Sequence, residues 1–155
     1  MHLDLKEHVV LQLKGFYNGD NWVADNFVMT AAAVSPAAAV STIPGHPKSI
    51  AEQVLHIIAW RSFVIARLTG DAQFDIELNS AKDWPEAHSW PGILEQMHST
   101  NQRLLDAIHA FPNERLEAIV PGRNYTFAFL LQGILHHDYY HLGKITAIAA
   151  QIARS

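Results

Sequence analysis

One segment constrains this chain more than any other: the stretch from Ile50 to about Thr69, which is apolar nearly all round. Val54, Leu55, Ile57, Ile58, Ala59, Trp60, Phe63, Val64, Ile65, Ala66 and Leu68 cover most sides of a 3.6-residue helix. Ser49-Ile50-Ala51-Glu52 opens it in capping-box form, and Gly70 stops it. A helix without a polar face must be covered on more than one side. It is therefore central in a bundle, or it also faces a second copy of the chain, and a homodimer is expected.

The remaining segments read as helices separated by breakers. Leu3 to Tyr17 places Leu5, Val9, Leu13 and Phe16 on one face. Trp22 to Ala33 has helical character, and Ser35-Pro36 starts a short turn of helix ending near Val40. Ser89 or a neighbour begins another helix, striped by Trp90, Ile93, Leu94, Met97, Leu104, Leu105 and Ile108, which ends near Phe111-Pro112-Asn113. Thr126 starts the last, which reaches almost to the C-terminus. No useful strand alternation is present. The reading is a single all-α domain over residues 1–155, a bundle of four main helices. Asp71 to Ser89 is unusually long for a connection, as a crossover between two parallel helices requires.

Composition narrows the chemistry. The chain holds no cysteine and ten histidines. Thiolate metal sites, disulfides and cysteine nucleophiles are excluded, so a transition metal would be held by imidazole and carboxylate. A formal net charge of −4 argues against nucleic-acid binding. Met1-His2-Leu3-Asp4-Leu5-Lys6-Glu7 is charged and lacks the apolar region of a secretory signal. Phe27 to Val40 is too interrupted to span a bilayer. These features predict a soluble, cytoplasmic protein with no membrane association.

Three histidines stand apart from the other seven. In the last helix the apolar stripe runs Phe127, Leu130, Leu131, Ile134, then His137 and His141, then Ile145. Two imidazoles at i, i+4 project from one face and can share an ion. His136 points elsewhere. His56, between Leu55 and Ile57, is the best third ligand, because an imidazole there is costly without a partner. Glu52, one turn earlier on the same face, reads as a cap, a fourth ligand, a group orienting a ligand, or a general base. Asp138 reads as a solvated charge or as a group holding an imidazole. Glu95-Gln96-Met97-His98 spells the Glu-x-x-His of di-iron bundles, but the second copy such a site needs is missing.

The segments Ser49-Ile50-Ala51-Glu52-Gln53-Val54-Leu55-His56-Ile57-Ile58-Ala59-Trp60 and Gly133-Ile134-Leu135-His136-His137-Asp138-Tyr139-Tyr140-His141-Leu142-Gly143-Lys144-Ile145 resemble the motifs of the DinB-like, or YfiT-like, metal-binding four-helix proteins. Lys144 stands where that family commonly has glutamine, beside the site and not among its ligands. The resemblance implies a four-helix bundle with up-down-down-up connectivity, and His56, His137 and His141 as ligands of one divalent ion per chain. Zinc or nickel is the commonest metal in the family, and iron is a further one. It also implies a dimer, and a metal-dependent transferase that uses a low-molecular-weight thiol such as bacillithiol, mycothiol or glutathione. Other members are described as metal-dependent hydrolases or have no established activity, so a hydrolase and a non-catalytic stress-related metal protein are the alternatives. With no cysteine in the chain, the thiol would arrive as a cosubstrate. Glu52, Tyr140 and Trp60 are the expected neighbours of the reaction site, Glu52 and Tyr140 as candidate catalytic residues.

Overall fold

A computed structural model describes residues 4–155. His2, the start of the charged first segment and the Leu3 end of the first expected helix lie outside the described residues. Helices α1 (Leu5–Tyr17), α2 (Phe27–Ala32), α3 (Pro36–Ala39), α4 (Ile50–Thr69), α5 (Trp90–Ala110) and α6 (Phe127–Ala153) follow in order, with a 3-10 turn at Asn113–Arg115. Among the described residues there is no strand, only the isolated bridges Ile43–His46 and Ile119–Thr126. No described helix is long and apolar enough to cross a membrane.

Local chemistry sets the helix ends. Asp4 and Glu7 form a capping box on α1, and Ser49 and Glu52 form one on α4. Gly70 ends α4 in the left-handed region, at φ +92°, where a side chain would be strained. Thr126 caps α6 by accepting from the Phe129 amide. The helix expected from Trp22 is shorter than its pattern suggests and begins at Phe27. Asn26 caps it there, while Asn21 Nδ2 donates to the Gly15 and Asp25 carbonyls and holds the preceding residues in a loop. Ser89 precedes α5 but makes no side-chain cap bond.

The core falls into two apolar clusters at opposite ends of the bundle. One joins Val9 and Leu13 of α1, Phe63 and Leu68 of α4, Leu104 and Ile108 of α5, and Phe127 and Leu131 of α6. The other joins Phe16 of α1, Ile50 and Val54 of α4, Ile93 and Met97 of α5, and Ile145 and Ile148 of α6. The start of α1 thus lies with the start of α6 and with the ends of α4 and α5. Helices α1 and α6 run one way, α4 and α5 the other. Both α4 and α1 pack against α5 and α6. The residue 71–89 connection therefore spans the bundle between two parallel helices. Helix α4 is enclosed within one chain, with only Ile58, Ala59, Trp60, Ser62 and Glu52 half-buried between its ends. Its apolar circumference is accounted for without a second copy.

Between the two clusters lies a charged pair that the apolar reading of α4 passes over. The Arg61 side chain is fully enclosed and lies against the Phe16 ring, 5.0 Å from its centroid. Its Nε donates to Asp138 Oδ2 at 2.8 Å and its Nη1 donates to Asn101 Oδ1 at 2.9 Å. Asp138 is equally buried, so the solvated-charge alternative for it does not hold. Helices α4, α5 and α6 are tied at one level by this pair. Removing one partner strands a buried charge. Asp138→Ala should therefore lower stability by about 3–5 kcal/mol in urea unfolding. The double variant Arg61→Met/Asp138→Leu should recover most of that loss. Additive losses in the double variant would contradict a coupled pair.

Candidate metal centre

His56 sits in the second turn of α4, and His137 and His141 sit mid-way along α6. The antiparallel packing of these helices brings the three side chains to one point. Each offers a ring nitrogen, and the three ligand atoms lie within 4.8 Å of one another. Among the described residues this is the one group of three or more histidine or carboxylate side chains placed to hold an ion. His56 and His141 are buried and His137 is partly exposed.

The protein fixes the tautomers of two of the rings. His56 Nδ1 lies 2.7 Å from the Asp83 carbonyl oxygen, which only accepts, so Nδ1 carries the proton. His141 Nδ1 likewise donates to Gln53 Oε1 at 2.6 Å. Both Nε2 atoms are left as bare lone pairs inside the site. His137 Nε2 lies 3.0 Å from His56 Nε2, and its Nδ1 is buried with no hydrogen-bond partner. Asp138 Oδ1, also without a donor, lies 3.7 Å from that Nδ1.

Neither neutral tautomer of His137 matches both of its neighbours. With the proton on Nε2, a bond to His56 forms, but the Nδ1 lone pair faces a carboxylate oxygen. With the proton on Nδ1, the N–H faces Asp138 Oδ1 at 3.7 Å, beyond hydrogen-bond range, and three lone pairs converge. A cation removes that conflict by accepting all three. Imidazole nitrogens about 2.0–2.1 Å from a tetrahedral ion are about 3.3 Å apart, close to the spacing of His56 and His137. The donor set fits a divalent transition metal.

The side chains that orient these rings come from places the spacing of histidines does not point to. Asp83 and Trp84 belong to the long connection. The Asp83 carbonyl accepts from His56 Nδ1, while the Asp83 carboxylate accepts from Trp60 Nε1 at 2.8 Å and from the Asn79 amide at 2.7 Å. Trp84 stacks on His56, with centroids 3.9 Å apart and planes 11° apart. Gln53 precedes His56 by one turn and reads in sequence as one more polar residue. The available signal is the length of the 71–89 connection, since long ordered loops are commonly functional.

The other expected neighbours lie as follows. Both Glu52 carboxylate oxygens are engaged, one by the Ser49 amide at 2.9 Å and the other by Lys48 at 3.2 Å. Burial pushes Glu52 up, but the Ser49 and Lys48 contacts outweigh it and hold the carboxyl below its usual range. The geometry is that of a cap. Trp60 flanks His137, with centroids 6.1 Å apart. Tyr140 meets His141 edge-on at 5.0 Å but is 60% exposed. His136 is exposed, and His98 Nδ1 pairs with the Tyr17 hydroxyl at 3.0 Å.

Burial, then the charges of His137, His56 and Lys144, push His141 down to about 3. His56 is lowered as well, first by burial and then by His137, against the Asp83 carbonyl. In metal-free protein an unfolded histidine takes up a proton near 6.5, whereas folded His141 does so only near 3. The stability is thus complete above pH 6.5 and falls as the pH drops from there toward 3. Metal-free protein should have a lower urea midpoint at about pH 5 than at about pH 7.5, and His141→Gln should flatten that difference. A His141→Gln variant with an undiminished acid slope would contradict it.

Comparison with known proteins adds the lineage. No curated protein and no solved structure matches the chain. A family model described as the DinB superfamily matches residues 21–145, a span that contains α2 to α5 and all three clustered histidines. The chain belongs to the DinB superfamily.

Proposed function

We propose that this protein is a divalent-metal-dependent transferase that works with a low-molecular-weight thiol, with His56, His137 and His141 as the metal ligands. The observation that carries the reading is the set of three imidazole nitrogens turned toward one point, two of them held as bare acceptors by Asp83 and Gln53. Three protein ligands leave at least one coordination position open, which is the catalytic pattern and not the closed structural one. A divalent ion bound there would act as a Lewis acid, lowering the pKa of a thiol or water in that position.

The residues of the chain have separate tasks. Asp83 and Gln53 hold the His56 and His141 rings in the ligand tautomer. Trp84 covers one face of His56 and excludes water there. Glu52, as the cap of α4, positions the turn that carries Gln53 and His56. Tyr140 and Lys144, whose ammonium lies 4.6 Å from the Tyr140 ring centroid, stand beside His141 where a cosubstrate would approach. In the transfer, the thiol proton passes to solvent and the sulfur forms the new bond to the acceptor. The acceptor's leaving group departs with the bonding electrons.

A thiol is favoured over water as the activated group because it needs less help to ionise: about 8.5 for a free thiol against 15.7 for bulk water. A hydrolase would also gain from a base near the ion, and Glu52, the nearest candidate in sequence, is committed to its cap and to Lys48. The cytoplasm, where small thiols are kept reduced, is the compartment this reading requires. We propose zinc or nickel as the metal, and a homodimer as the assembly. The exposed apolar side chains of Trp22, Val23, Val28 and Met29 are a surface such a pairing can cover.

Cobalt-substituted protein should change its visible spectrum on titration with 2-mercaptoethanol, and His141→Ala should lose the metal while keeping its helical circular dichroism. Absence of any response to thiols would sink the transferase reading, and collapse of the helices in His141→Ala would favour a structural ion. Light scattering at micromolar concentration should give twice the chain mass; a monomer would refute the dimer.

A further inference from the structure

Beside the histidines lies a cavity of about 180 Å³ walled by Trp60, Phe63, Tyr125, Phe129 and Ile134, with His137 at its edge. Its lining is almost wholly apolar, and its one imidazole belongs to the histidine cluster. An apolar cavity of about 150 Å³ holds a benzene molecule, so this one accepts an aromatic ring or a short branched alkyl group. The cavity is held open from two sides. Trp60 is fixed by its hydrogen bond to Asp83, the residue that also orients His56. On α6 the wall is Gly133, one turn before His137 and on the same face. A Cβ at Gly133 would meet no atom within 4 Å, so packing does not demand a glycine there. Glycine is a poor helix former, and its place in the middle of a 27-residue helix leaves the space next to His137 empty.

We propose that this cavity is the substrate subsite for an uncharged, apolar group, about one aromatic ring in size, on the molecule that reacts at the metal centre. The proposal rests on the reading of the histidines as a reactive centre, and it adds the chemical class of the group recognised. Neighbouring His137 supplies the connection between the two: a molecule seated between Trp60 and Phe129 reaches the edge of the ligand cluster without crossing a polar surface.

Two measurements separate this subsite from the metal chemistry. In the metal-free protein, toluene should receive saturation transfer from the protein in ligand-observed NMR. Gly133→Leu, which fills the cavity and favours the helix, should abolish that transfer, and the smaller Gly133→Ala should weaken it. In the cobalt-substituted protein, benzyl mercaptan should bind at least about tenfold more tightly than 2-mercaptoethanol, through burial of its ring. In Gly133→Leu that preference should vanish, with 2-mercaptoethanol binding unchanged. Equal toluene binding by wild type and Gly133→Leu overturns the subsite, as does a change of oligomeric state in Gly133→Leu, which would assign the cavity to a second copy. If toluene is excluded by Gly133→Leu but neither thiol perturbs cobalt, the subsite stands and the thiol chemistry falls.

Discussion

A neutral imidazole carries one donor and one acceptor, and inside a helical bundle both have to be matched. That requirement governs the arrangement around His56, His137 and His141. The donors of His56 and His141 are matched by Asp83 and Gln53, which leaves their acceptors facing inward. Neither neutral tautomer of His137 satisfies its own nitrogens and Asp138 together. The three rings can turn lone pairs toward one point, an arrangement that a bound cation would complete. Burial also keeps His141 from taking up a proton in competition with a metal near neutral pH.

The bundle is built so that this polar group can exist inside it. Two apolar clusters occupy the ends, and the polar level between them is braced by Arg61, Asp138 and Asn101. Asp138 is shared between the brace and the histidine cluster. One oxygen holds Arg61, and the other lies near His137 Nδ1. The pair therefore fixes the register of α4 against α6 at the level where ligands from the two helices must meet. The parallel course of α4 and α5 adds a second consequence. The connection between them has to travel the length of the bundle, and on the way it lays Asp83 and Trp84 on His56.

The helices and the three clustered histidines are legible in the sequence because each rests on a local pattern. The caps at Ser49 and Thr126 lie next to their helices, and His137 and His141 repeat at the spacing of one helical face. The partners are less legible because they act across the fold. Nothing in the residues flanking Asp83 says that it meets His56, 27 positions earlier. Arg61 is passed over among the apolar residues of α4 until Asp138, 77 positions later, is seen against it. Glu52 is the reverse case: its proximity to His56 along α4 suggests chemistry, but its oxygens serve the helix terminus. The α2 segment shows how an apolar pattern can extend past the real helix, because the Asn21 and Asn26 side chains capture the backbone first.

The metal reading requires three imidazoles on one divalent ion, with one position left open. X-ray absorption spectroscopy of zinc-loaded, untagged protein tests it most directly. The expected spectrum shows three imidazole nitrogens at about 2.0–2.1 Å and one further light-atom ligand that is replaced by sulfur when 2-mercaptoethanol is added. A spectrum without imidazole scattering, or one that is unchanged in His137→Ala/His141→Ala, would contradict it.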